Sequence, residues 1–205
     1  MTDFSLRSCK AVLFDLDGVL VDSYDCWFHL LRDAMHDQKK RPVTLAEFDA
    51  LWGQGPEADS EAFFPEWSLT DLMAYYEKRF PDYTRWSRKE PGSDLLLKHL
   101  RQSQKMIAVA SNSPTAIVRD LLIHAGLEKY PDALIGADQV AQSKPAPDML
   151  FKALEVLSIN REEACYVGDS IYDAKAAEAA GILFVGFKRP GQVSVQNMTE
   201  LLTLL

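Results

Sequence analysis

The sequence predicts a doubly wound α/β fold, with a parallel five-stranded sheet and a helical cap inserted after the first strand. Three observations carry that prediction. Short apolar runs of strand length recur along the chain, amphipathic helical segments separate the later ones, and about 70 residues between the first and second runs hold helical patterns without a convincing strand. Residues 1–21 and 91–205 then form the core and residues 22–90 the cap.

Each element has its own warrant. The apolar runs fall at Ala11–Asp15, Met106–Ala110, Ala133–Ala137, Ala164–Val167 and Leu183–Phe187, each followed by polar or Gly-containing residues, as expected of strands buried on both faces. Inside the insertion, Trp27, Leu30, Leu31, Ala34 and Met35 make one helical stripe, and Thr44 with Glu47 spells a capping box. Ser68 to Phe80 supplies another helix, with Leu69, Leu72, Met73 and Tyr76 on one face. All four tryptophans and 13 of the 21 aromatic residues lie in this interval, so it must bury them against itself or against the core. Further on, Pro114–Ala125 reads as a helix ending at Gly126, Pro147–Leu157 as one following a Pro-rich turn, and Ile171–Ala180 as one ending at Gly181.

Composition narrows the function. The balance of 22 basic and 30 acidic residues gives a formal charge of −8, which repels nucleic acid and anionic membrane surfaces. Three cysteines without CxxC spacing read as ordinary thiols of a reducing compartment. The N-terminal residues show no basic region followed by an apolar stretch, and no apolar run approaches the ~20 residues that cross a bilayer. A soluble, cytoplasmic protein is expected.

Four motifs sit at the ends of successive predicted strands. Asp15-Leu-Asp17-Gly18 follows the first, where the carboxyl ends of an open α/β sheet gather ligands. Asp15 reads as a nucleophile and Asp17 as the acid/base for a leaving oxygen, against the plainer reading of an acidic turn that caps a helix. Ser111-Asn112-Ser113-Pro114 places a hydroxyl and backbone amides at a helix start, which suits an anion as well as simple capping. Lys144, among the prolines of Lys144-Pro-Ala-Pro147, reads as a cation for a nucleophile and a transferring phosphoryl group, or as a solvated turn lysine. Ser111 and Lys144 are both expected to serve phosphate charge and not packing. Gly168-Asp169-Ser170-Ile-Tyr-Asp173 offers two carboxylates to magnesium, or merely acids at a helix start. Asp169 is the direct ligand, while Asp173 either ligates, acts through water, or holds Lys144. The four motifs in order make coincidence a poor explanation.

Together they resemble the haloacid-dehalogenase superfamily, in its capped phosphatase branch. The resemblance covers essentially the whole chain, including Pro91-Gly92 at the return to the core. It implies a core strand order of 3-2-1-4-5, magnesium held by Asp15, the Asp17 backbone carbonyl and Asp169, and phosphate gripped by Ser111 and Lys144. It also implies a small phosphorylated metabolite as partner and a substrate-contacting turn at Gly53-Gln54, with Gln54 and Asn112 at the substrate. Many sugar-phosphate mutases of this branch carry an Arg after the cap glycine and a basic residue after the Ser-Asn motif. Here Gln54 and Ser113 stand in those places, which favours hydrolysis over a phosphomutase. Ser143 replaces a common Gly. Asp17 disfavours dehalogenation, and both Asp17 and the cap disfavour a phospho-aspartate signalling module. Phosphoglycolate, a sugar phosphate and a nucleoside monophosphate all remain open as substrates, as does the oligomeric state.

Overall fold

Ala11–Phe14 (β1) is apolar at every position, and all four residues are buried, because the strand lies in the middle of a parallel sheet with both faces covered. The computed structural model describes residues 6–205, so residues 1–5 of the predicted core lie outside it. After β1 the chain turns through Val21–Asp22 (β2) into Tyr24–Asp37 (α1), whose buried face is Cys26, Leu30, Leu31, Ala34 and Met35, with Trp27 partly buried beside it. Leu45–Leu51 (α2) starts at Thr44 with the predicted capping box. Pro56–Phe63 (α3) starts with Pro56 in its first turn, and Leu69–Arg79 (α4) is capped by the Ser68 side chain. Arg88–Lys89 (β3) pairs antiparallel with β2. This ribbon differs from the strand-free insertion predicted, since two residues on each side are too few to leave a period-2 signal.

The return to the core runs through Ser93–Gln102 (α5), Met106–Ala110 (β4), Thr115–Ala125 (α6), Ala133–Ile135 (β5), Asp148–Leu157 (α7), Ala164–Gly168 (β6), Ile171–Ala180 (α8), Leu183–Phe187 (β7), Val193–Val195 (β8) and Met198–Leu204 (α9). The sheet order is β5-β4-β1-β6-β7-β8, parallel throughout. The predicted five strands keep their order, and the correction is a sixth, β8, at the edge. Its three residues, of which only Val195 is buried, gave no apolar run to read.

Successive residues of β1 enter different cores. Val12 and Phe14 pack with α5, α6 and α9, and the apolar residues of the insertion join the same cluster. Ala11 and Leu13 pack against α7 and α8 on the opposite face. Among the described residues no helix is long and apolar enough to cross a membrane.

Candidate active site

The carboxyl end of β1 lies where the chain has gone one way to β4 and β5 and the other way to β6 and β7, the switch point at which open α/β sheets bind ligands. Asp15 is the first residue past β1. Its amide donates to the Val167 carbonyl (2.8 Å), so the ladder with β6 delivers its carboxylate to the rim, where it is 6% exposed.

Lys144 reaches Asp15 from across the sheet. Its Nζ donates to Asp15 Oδ1 (2.7 Å) and Asp173 Oδ1 (2.8 Å), with the Tyr166 hydroxyl at 3.0 Å and the Ala110 carbonyl at 3.1 Å. Tyr166 passes the polarity on, donating to Asp173 Oδ1 (2.6 Å). The other Asp173 oxygen accepts from the Ser170 amide (2.9 Å) and hydroxyl (2.5 Å), the capping box of α8. Both oxygens of Asp173 are therefore engaged, and the residue is fully buried.

Asp17 sits in a cage of donors. Ser111 Oγ (2.9 Å) and Ser113 Oγ (3.0 Å) donate to Oδ2, while Ser23 Oγ and Trp27 Nε1 (3.3 Å) donate to Oδ1. Gly18 follows at φ +86°, and a Cβ there would collide with Asp169 Oδ2, so this glycine lets Asp169 lie against the turn. Asn112 clips the Lys144 loop: its Oδ1 accepts from the Lys144 amide (2.8 Å), and its Nδ2 donates to the carbonyls of Lys144 (3.0 Å) and Gly53 (3.2 Å). Gln54 Nε2 donates to the Ala50 carbonyl (3.2 Å).

One cavity of about 70 Å³ gathers Asp15, Asp17, Gln54, Ser111, Asn112, Lys144 and Asp169 in its lining. Of the residues singled out from sequence, only Asp173 lies behind it, although its carboxylate is within 4.8 Å of those of Asp15 and Asp169.

The charges do not balance. Four carboxylates meet one lysine, and burial, with Asp173 adding repulsion, pushes Asp15 well above the ordinary carboxylate range despite Lys144. Burial and Asp173 likewise push Asp169 up to about 7. Burial acts to raise Asp173 too, but Lys144 and the hydrogen bonds around it outweigh burial and hold it low. Such a deficit of positive charge, in oxygen ligands this close together, fits a hard divalent cation.

Residues 12–187 match the haloacid dehalogenase-like hydrolase family. The chain belongs to that family. It is 34% identical over 191 residues to a phosphoglycolate phosphatase of Cereibacter sphaeroides, covering 86% of this chain and 84% of the relative. It is 30% identical to a plasmid-borne phosphoglycolate phosphatase of Cupriavidus necator, covering 89% and 84%. Among solved structures, a haloacid dehalogenase-superfamily hydrolase of subfamily IA from Geobacter sulfurreducens superposes with a TM-score of 0.80 at 26% identity, over 96% of this chain and all of that one. CbbY from Rhodobacter sphaeroides, solved with phosphate, shares the fold at a TM-score of 0.85 and 20% identity, over 94% and 96%. This haloacid dehalogenase-like hydrolase is a phosphatase.

Several site residues of the hydrolase escaped the sequence reading. Tyr166, inside the run Ala164–Val167, could have been flagged because a phenol in a fully buried strand needs a polar partner. Asp59 and Tyr76 on α3 and α4, and Trp27 as a donor to Asp17, carry no local signal, since only the packing of the insertion brings them to the cavity. Lys144 also differs from expectation: it is 4% exposed and paired with two acids, so it serves the packing of the site as well as its charge.

Proposed function

We propose that the chain is a magnesium-dependent phosphatase that hydrolyses a small phosphate monoester through an aspartyl-phosphate on Asp15. The observation that carries this reading is the convergence on one cavity of a buried, lysine-held carboxylate, a second carboxylate two residues on, and Asp169 within ligating distance of the first. Asp15, the Asp17 backbone carbonyl and Asp169 would hold magnesium, which when bound supplies positive charge against the phosphoryl oxygens and the crowded carboxylates. Asp173, with both oxygens occupied, anchors Lys144.

In the first half-reaction a bond forms between an Asp15 carboxylate oxygen and phosphorus while the ester P–O bond breaks, and Asp17 gives its proton to the departing oxygen. In the second, Asp17 takes a proton from water, whose oxygen attacks phosphorus and releases inorganic phosphate and free Asp15. Ser111 is poised to exchange its bond to Asp17 for one to a phosphate oxygen, and Lys144 offsets charge on the transferring group. Asn112 positions the Lys144 loop, and residues 22–90 act as a cap rooted in the β2–β3 ribbon. Among the described residues Lys144 is the sole cation in the cavity lining, which weighs against a phosphomutase, since that enzyme must hold a second phosphate. Steady-state turnover of an aryl phosphate tests the proposal: activity with magnesium and loss of it in EDTA are expected, and equal rates in both would refute the metal-dependent mechanism.

A further inference from the structure

The cap side of the cavity has a chemistry that the phosphoryl-transfer residues do not use. Trp27, Phe48, Trp52 and Tyr76 line it, together with one carboxylate, Asp59. Asp59 lies in the first turn of α3, whose start is set by Pro56, and the Tyr76 hydroxyl of α4 donates to its Oδ2 (2.9 Å). Among the described residues Asp59 forms no ion pair, and Oδ1 accepts no hydrogen bond. The nearest charge acting on it is another acid, Glu57, whose Oε1 accepts from Ser143 Oγ (3.0 Å).

A partly dehydrated carboxylate without a counter-ion is costly, and aromatic faces attract cations through their quadrupoles. A single acid among four aromatic rings is complementary to an ammonium group. It is the opposite of what a second anion needs. A substrate carboxylate or second phosphate entering here meets Asp59, while Lys144, the only lining cation among the described residues, is committed to Asp15 and Asp173.

We infer that the substrate's leaving group carries a short alkylammonium cation, seated among Trp27, Phe48, Trp52 and Tyr76 and paired with Asp59. This rests on the phosphatase reading above and adds the class of alcohol released. Asp59 is then a specificity residue for the leaving group, and the anionic ester named for the curated relatives is a poor substrate.

The test compares kcat/KM, with magnesium, for ethanolamine phosphate against propyl phosphate and for choline phosphate against neohexyl phosphate. Each uncharged ester is the carbon isostere of its partner. At least one ammonium ester should exceed its isostere by about tenfold or more, since each tenfold corresponds to only ~1.4 kcal/mol and a desolvated cation site commonly supplies that. Asp59→Asn, which keeps the shape and the Tyr76 contact, should collapse that ratio toward one. Equal rates within both wild-type pairs, a ratio unchanged in Asp59→Asn, or a preference for phosphoglycolate over both ammonium esters overturns the inference. An aryl phosphate run in parallel separates the two levels: its turnover without any ammonium preference sinks only this inference. If no ester is hydrolysed, the phosphatase mechanism fails instead. Quenching of tryptophan fluorescence by choline against neohexanol then still decides the pocket, with tighter binding of choline expected and equal binding overturning it.

Discussion

Asp15 and Asp17 are two residues apart and meet different surroundings, so their conservative variants should fail differently. Asp15 is pinned by Lys144, and Asp15→Asn removes the nucleophile, dropping turnover to background. Asp17→Asn retains it but loses proton transfer, worth typically ~10²–10⁴ in rate. With an activated aryl ester the first step should survive better than the second, and one phosphoryl group should accumulate on the peptide containing Asp15, read by acid quench and mass spectrometry. A phosphoryl group found on another peptide, or net inversion of configuration at a chiral phosphorus, would exclude the covalent route. Asp59 gives a pH prediction at the same scale. Burial, with Glu57 adding to it and the Tyr76 hydrogen bond opposing, pushes Asp59 up to about 7. The native state therefore holds this proton more tightly than the unfolded chain, whose ordinary value is ~3.9. Its contribution is fully present below about pH 4 and lost as pH rises through about 7. Asp59→Asn should melt with the parent near pH 4 and, near pH 8, about 2–4 °C above it, for on the order of 1 kcal/mol after discounting for solvent in the cavity. The same offset at both pH values would show that its titration is not coupled to folding.

At the scale of elements, the turn after β1 is the most exacting piece. Gly18→Ala places a Cβ at φ +86° and against the Asp169 carboxylate, so it strains the turn and displaces a metal ligand together. The expected result is a several-fold higher magnesium concentration for half-maximal activity, measured by titration, and an unchanged midpoint would remove Asp169 from the ligand set. The long strands and the capped helices were legible because each repeats a local rule: continuous apolarity for β1, β4 and β6, a 3.6-residue stripe for α1, a capping box for α2. The ribbon β2–β3 and the edge strand β8 were not, because two or three residues are too short to show a period and owe their pairing to neighbours distant in sequence. The short α3, which carries Asp59, has no apolar stripe of its own to announce it.

Across the whole molecule, the four carboxylates around one lysine should make stability depend on the metal. Magnesium at a hundredfold excess over its dissociation constant should add ~2.7 kcal/mol, seen as a rise in Tm that Asp169→Asn weakens along with activity. No change in Tm at saturating activity would argue against a site made of these acids. Lys144→Ala should lose turnover and also up to ~3–5 kcal/mol of stability, measured by urea unfolding, because it strands two buried carboxylates. Undiminished stability would restore the expectation that Lys144 serves phosphate alone. The sequence by itself determined the α/β class, the positions of five of the six strands, and the acids, hydroxyl and lysine at the strand ends, because buried strands and the turns that follow them are written in contiguous residues, while the order of those strands followed from the family resemblance. Only the tertiary structure decided which partner each of those groups has: Asp173 on Lys144, Asn112 on the Lys144 loop and Gly53, four donors on Asp17, and Asp59 with Tyr76 in the cavity wall. Those pairings join positions 6 to 96 residues apart, and their geometry is set by how the insertion packs against the sheet, which no local pattern encodes.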